Sequence, residues 1–408
     1  MAEAFEESTI IPPEPTDLTE ADVRAIVDQA LTGVTGLFRT KDGKVVTIGE
    51  LLATGQQTFG GDGSDGDATV TANSTLTADK YYNNLIVNQG VTLNTGNYRL
   101  FIKDTLTNNG TIENNGGDGG DATSASPPPL SQVNGVKGIA GTAVGAGYMA
   151  AGLAGEAGGD GGRGEPRCLD GSREPGAPGD AGSNVTISIG VAGAAGQTGG
   201  TGGSNPSCSG SIAGGSGGAA GTAAAPTNSF AKIQNSTLGV LMQEIIDGSN
   251  PTFYTNSASS GGSGGGGGGG ASGDSGKDKG GGGGGGAGSG APGGFIMIYA
   301  KKVMNSANAI IRANGGGGGA GGDGADGTQA VSNGGGGGGG GSGGSGGSGG
   351  VVVLIYNELN NTGTIEAAGG SGGTAGAKGV GVGTGTDGGE GTEGATGTTG
   401  NVLEIKVA

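Results

Sequence analysis

FIKDTLTNNGTIENNGG (101–117) and LIYNELNNTGTIEAAGG (354–370) are two copies of one unit. At a constant offset of 253 residues, Ile102, Leu106, Asn108, Gly110, Thr111, Ile112, Glu113, Gly116 and Gly117 meet Ile355, Leu359, Asn361, Gly363, Thr364, Ile365, Glu366, Gly369 and Gly370. Each copy reads as a strand, a turn and a second strand. A looser copy, FIMIYAKKVMNSANAIIRANGG (295–316), slips by one residue around Val303 to Asn305, and NVLEIKVA (401–408) repeats the first half of the unit. The chain thus returns repeatedly to one strand unit and leaves it on glycine-rich excursions at 116–294, 315–350 and 369–400. The strand units are expected to stack as one core, with the excursions packed together as a glycine bundle.

Within the excursions glycine recurs every third residue, as in GLA-GEA-GGD-GGR-GEP from Gly152 and GTD-GGE-GTE-GAT-GTT from Gly385. Three residues is the repeat of the left-handed polyproline II helix, and a missing Cβ at every third position lets such backbones press together. Collagen is disfavoured, because only 13 prolines accompany 108 glycines in 408 residues and they lie mostly outside the triplets. The alternative is disorder, since few apolar side chains offset the entropy of ordering so much glycine. The fold class expected is mainly β plus polyglycine-II: a short N-terminal helix, a β-sandwich or β-solenoid module, then a glycine-rich polyglycine-II helical bundle with interspersed strand repeats. All-glycine runs such as 264–270, 280–286 and 334–341 fit the crowded centre of that bundle, and 152–166 and 385–400 its rim.

The expected domains are an arm and helix at 1–38, a linker at 39–66, a β module at 67–115, and the bundle at 116–408. The last carries strand repeats at 295–314, 351–368 and 401–408. In the helix Thr19 and Asp22 form a capping-box pair, Leu18 and Val23 a hydrophobic staple, and Val23, Ile26, Val27 and Leu31 an apolar face. Those residues are the candidate anchoring or oligomerisation surface. In the β module, Leu85, Val87, Val91, Leu93, Leu100, Ile102, Leu106 and Ile112 occupy inward positions.

A net charge of −17 without any Lys/Arg cluster argues against nucleic-acid binding. No apolar stretch is long enough to cross a bilayer, and the N-terminus MAEAFEES is acidic rather than a signal n-region, so synthesis in a cytoplasm is expected. Absence of histidine removes the commonest general base and metal ligand. The expectation is a protein that is not an enzyme, with no catalytic residues, no metal and no cofactor. GGDGSD (60–65) and GGDGAD (321–326) match the start of calcium-binding nonapeptide repeats, but they are isolated and followed by Asp67 and Thr328 where an apolar residue is required, so turns are the better reading. Glu113 and Glu366 could be paired carboxylates of a hydrolase. Their equivalent places in a repeat mark them instead as solvent-facing strand positions.

Non-glycine insertions are the better functional candidates, because loops vary while a scaffold holds them still. Pro251, Phe253 and Tyr254 in the 226–256 insertion, Leu130 in SASPPPLSQ (124–132) and Tyr148 in YMA (148–150) are the candidate binding contacts. Threading the first excursion outward and back brings Cys168 and Cys208, the two cysteines, to its outer tip. A disulfide there would close a loop of about 40 residues and stabilise by up to ~3–4 kcal/mol, the alternative being two free thiols.

The stretch FGGDGSDGDATV…YYNNLIVNQGVTLNTGNYRLFIKDTLTNNGTIENNGG (59–117) resembles the N-terminal β module of glycine-rich bacteriophage tail proteins. The glycine runs are similar to the polyglycine-II bundle in the distal adhesins of T-even-type phage tail fibres. This resemblance covers most of the chain from about residue 56 and implies a virion protein that recognises a bacterial surface receptor, protein or polysaccharide, through loops at the bundle tip. Those adhesins are typically monomers capping a separate fibre, whereas this chain carries its own β module, arm and helix. Direct attachment to other virion proteins through the N-terminus, as a homo-oligomer with a trimer as one form, is therefore expected, without membrane insertion. A purely structural virion component, such as a head fibre or decoration protein, is the second reading. An ice-binding protein is the third.

Overall fold

A computed structural model describes residues 38–39, 45–46, 61–126, 135–144, 161, 197–204, 216–219, 280–329 and 334–407. The chain divides into two units, Met1–Phe59 and Gly60–Ala408. In the first, β1 (Phe38–Arg39) pairs antiparallel with β2 (Val45–Val46). The expected helix, with Leu18, Val23, Ile26, Val27 and Leu31, lies outside the described residues.

The second unit is built from five rungs, each a long strand followed by a short one, and a sixth long strand. Long strands β3 (Gly66–Val70), β5 (Lys80–Val87), β7 (Arg99–Asn108), β9 (Phe295–Asn305), β11 (Val351–Asn361) and β13 (Asn401–Lys406) form a six-stranded sheet in that order. Short strands β4 (Ser74–Thr75), β6 (Thr92–Asn94), β8 (Thr111–Glu113), β10 (Ile310–Arg312) and β12 (Thr364–Glu366) form a five-stranded sheet, also in chain order. All pairings in both sheets are parallel.

Period-2 alternation sends one face of each strand inward. Leu85, Leu106 and Val303 stack in register on the long sheet, Leu93, Ile112 and Ile311 on the short one, and all six are buried in one core cluster. Leu359 and Ile365 extend the two columns and are partly buried against the cluster. The first parts of β9 and β11 are buried on both faces, which is why they read FIMIYA and VVVLI without alternation. Where the strands turn toward the short sheet, Asn108 Nδ2 donates to Asn305 Oδ1 at 2.8 Å and Asn305 Nδ2 to Asn361 Oδ1 at 2.9 Å. This ladder satisfies amides that burial would otherwise penalise.

The expected fold class is corrected. The described residues contain no helix, and what organises them is a pair of parallel sheets running from β3 to β13, not a helical polyglycine-II bundle following a separate module. The strand repeats do stack as one core, as their likeness predicts. Parallel pairing of β7 with β9, β9 with β11, and β11 with β13 makes them neighbours in one ladder. The described glycine segments carry neither helix nor regular strand.

The repeat alignment also moves. Asn108, Asn305 and Asn361 are in register, so no slip occurs at Val303 to Asn305. The offset changes instead at a register shift between Ile102 and Thr105, and again in the turn before β10, where Asn308 takes a left-handed φ of 69°.

Candidate functional site

Each of the five rungs with a short strand turns into it in a few residues, but the other corner varies. Residues 76–79 and 95–98 make it in the first two rungs, whereas 114–294, 313–350 and 367–400 make it in the next three. All three excursions therefore leave and re-enter the framework at one corner. Its anchor is the short turn of the second rung. There Asn97, at φ 64°, accepts at Oδ1 from Phe295 N (2.8 Å) and Asn114 Nδ2 (2.6 Å). Asn114 Nδ2 also donates to the Phe295 carbonyl at 3.0 Å. The departing and returning ends of a 181-residue excursion are thus clasped to a four-residue turn.

From that corner the described glycine segments run side by side as extended chain, cross-linked by backbone hydrogen bonds at every third residue. Gly281, Gly284, Ala287, Gly290 and Gly293 donate to Gly336, Gly339, Ser342, Ser345 and Ser348. Gly338, Gly341, Gly344, Gly347 and Gly350 donate to Ala325, Gly322, Gly319, Gly316 and Ala313. Residues 280–294 and 334–350 are buried throughout, and a Cβ on Gly344 would overlap the Gly288 carbonyl. The third-residue glycine is required by close approach of backbones on that side.

Side chains fill the same period where a segment reaches the surface. Asn115, Asp118, Asp121 and Ser124 accept from the backbone N–H groups of Asn314, Gly317, Ala320 and Asp323 at 2.7–3.0 Å. One segment further, Asn314, Asp323 and Asp326 accept from Ala368, Ala377 and Val380 at 2.7–2.8 Å. The aspartates of GGDGAD thus tie neighbouring chains together. In GGDGSD, Asp62 accepts from Ser64 N (2.9 Å) within a turn, and this side-chain and backbone bonding holds its carboxyl below the usual range. Among the described residues no group of three or more His, Cys, Asp or Glu could hold a metal.

Glu113 and Glu366 lie on the face opposite the inward Ile112 and Ile365, half-buried, and there both are tied to a neighbouring rung. Arg312 lies between them in register and donates to Glu113 Oε2 from Nε (3.0 Å) and from its terminal nitrogen (2.7 Å), while Asn314 Nδ2 donates to Glu366 Oε1 (2.7 Å). The carboxylates recur because the repeat recurs, and the structure uses them as ties between rungs.

Two surface features stand out on the excursions. The first is a groove of about 610 Å³ lined by Asp118, Asp121, Asn314, Ser371 and glycine backbone. The second is the far end, away from the strands. There the third excursion reverses at Gly383, with φ 68°, and Gly385 N donates to the Val382 carbonyl at 3.1 Å. Asp387 accepts from Gly381 N (3.0 Å) and pairs with Lys378 (3.1 Å), and the Gly381 bond, then Lys378, hold its carboxyl below the usual range. Val380 is 51% exposed beside them. Ser204 N and Thr386 Oγ1 hydrogen-bond at 2.8 Å, Gly203 N donates to Gly337 O, and Gly327 N to Val380 O. Ser204, Gly281, Gly327 and residues 335–337 thus gather around this turn, with Ala125, Gly135 and Gly161 a triplet or two nearer the strands.

Pro251, Phe253, Tyr254, Leu130, Tyr148, Cys168 and Cys208 all lie outside the described residues. Their flanks are informative. The residues bordering the Leu130 segment (126 and 135) and Ser204, which precedes the Cys208 segment, are near the far end, whereas Val144, before the Tyr148 segment, is buried at the strand end. Sequence reading missed the turn at Val382. Its signal was present: from Gly370 to Gly400 every third residue is glycine except Val382.

Compared with known proteins, the chain matches no family model, no curated protein and no solved structure. Among the described residues no helix is long and apolar enough to cross a membrane.

Proposed function

We propose that this chain is a bacteriophage virion fibre or adhesin protein that attaches the particle to a bacterial surface receptor, protein or polysaccharide, without catalysis. One observation carries the reading: three excursions issue from a single corner of a parallel-sheet framework, and Ser204, Gly327 and Gly337 are bonded around an exposed turn at the far end. A rigid support with variable loops at one end suits recognition. The described carboxylates fit this reading, since Glu113, Asp323, Asp326 and Asp387 are held by backbone N–H groups or cations, and Glu366 and Asp67 by asparagine amides. In the proposed particle the N-terminal region attaches to other virion proteins.

Labelled protein should adsorb saturably to a subset of bacterial strains. A variant with residues 249–256 replaced by glycine and serine, and a second variant K378S/V380S/D387S at the far turn, divide the candidate contacts. Loss of adsorption in either places the contact. Absence of adsorption to every strain the parent particle infects would leave a purely structural virion component instead.

A further inference from the structure

The last long strand, β13, pairs with β11 along one edge and has no strand on its other edge among the described residues. Asn401 N donates to Gly350 O at 2.9 Å and Val407 N to Tyr356 O at 2.7 Å. By the two-residue alternation of a ladder, the backbone groups of Asn401, Leu403, Ile405 and Val407 serve β11. Those of Val402, Glu404 and Lys406 point to the open edge.

The side chains of these three residues lie on the core-facing side of the sheet. Val402 is in register with Val352, Glu404 with Leu354 and Lys406 with Tyr356, and Val352 and Leu354 belong to the buried core. Yet Val402 is 39% exposed, and Glu404 and Lys406 are exposed too, because no described short strand lies beyond β12 to close over them. Head-to-tail stacking of a second copy would bury Glu404 and Lys406 in a continued core, at the cost of desolvating both charges. That arrangement is disfavoured.

An antiparallel approach of the same edge has no such penalty. Centred on Ile405, it sets Glu404 opposite Lys406 of the second copy, and Lys406 opposite Glu404 of the second copy. Both pairs fall on residues whose backbone groups already face the edge, so each also exchanges two backbone hydrogen bonds. Shifting the register by two residues in one direction places Glu404 against its own copy, a like-charge pair. Shifting it by two in the other places Lys406 against its own copy, again a like-charge pair. We propose that β13 is a two-fold dimerisation edge whose occupant is a second copy of this chain, paired antiparallel about Ile405 with Glu404–Lys406 pairs fixing the register.

Sedimentation equilibrium of the full chain, at moderate and high salt, tests this. Wild type should dimerise, more weakly at high salt. E404K and K406E should each weaken dimerisation about tenfold, since each turns two attractive pairs repulsive. The double swap E404K/K406E should recover to within about threefold of wild type. A monomeric wild type would overturn the proposal and leave the charges as a block against edge pairing. So would a trimer, single variants that associate like wild type, or a double swap that fails to recover.

Discussion

At the scale of single residues the asparagine ladder is the most sensitive point. Asn305 accepts from Asn108 and donates to Asn361 and to the Thr364 carbonyl (3.3 Å), and it is 1% exposed. Asn305→Ala should lower unfolding free energy by about 2–3 kcal/mol, because it leaves buried amide groups unmatched. Asn361→Ala, at the exposed end of the ladder, should cost under about 1 kcal/mol in the same denaturant titration. Gly61 is a second such point. It has φ +77°, and a Cβ there would meet Phe101 Cβ and Tyr81 Cδ1 at 2.9 Å, where those rings stack at 4.7 Å. Gly61→Ala should cost about 1–3 kcal/mol from strain alone. Asp62, Asp67 and Asp387 all have lowered carboxyl pKa values, Asp67 through bonds from Asn83 and Asn84. A depressed folded-state value gives stability that is complete above the unfolded value and lost as pH falls through the folded one. With no histidine in the chain, melting temperature should stay flat from pH 8 to about 5 and fall only below the ordinary aspartate range of about 4. A transition near pH 6 would contradict this assignment.

At the scale of elements, the glycine segments make contrasting demands on neighbouring positions. Gly344 is wedged against the Gly288 backbone, whereas a Cβ on Gly317 would come no nearer than 3.4 Å to any atom, its first neighbour being Ser371 Oγ. Gly344→Ala should therefore destabilise by about 3 kcal/mol or more, and Gly317→Ala by no more than about 0.5 kcal/mol. Equal effects in thermal unfolding would mean that the segments are not packed as described. Strands show a similar division. The first three long-strand pairings carry register shifts at one height, between Gly66 and Ala68, Tyr82 and Leu85, and Ile102 and Thr105, while β9–β11 and β11–β13 run without one. Asp67 bridges the column by accepting from Asn83 Nδ2 (2.9 Å) and Asn84 Nδ2 (3.0 Å). Alternation was readable in the strands of residues 67–115, but these shifts were not, because a bulge depends on how many residues the neighbouring strand supplies.

For the molecule as a whole, the ladder joins strands far apart in the chain: β7 ends at Asn108 and its neighbour β9 begins at Phe295. Closing so long a loop before any contact rewards it makes folding slow. The short turn at 95–98 shows that the same corner can be made without an excursion. Replacing residues 367–400 by the sequence TGNY should accordingly preserve slow hydrogen exchange in β5, β7 and β9, even as 334–350 loses neighbours. Collapse of protection in all strands would show that the third excursion holds the framework together.

What the sequence by itself determined is local and periodic. Strand alternation, the Asn-Gly turns, the repeat at an offset of 253 and glycine at every third residue are each statements about neighbours along the chain, and each is set by side-chain size and polarity. Even the reversal at Val382 was written there, as one interruption of the glycine period. Tertiary structure decided the rest: that the repeats pair in parallel as consecutive rungs, that three excursions share one corner, and that Arg312 ties Glu113 while Asn314 ties Glu366. Those relations connect residues 50 to 200 positions apart. A repeat shows that such units are alike; only the desolvation of a shared core and the matching of backbone donors and acceptors between them decide which units meet and in what register.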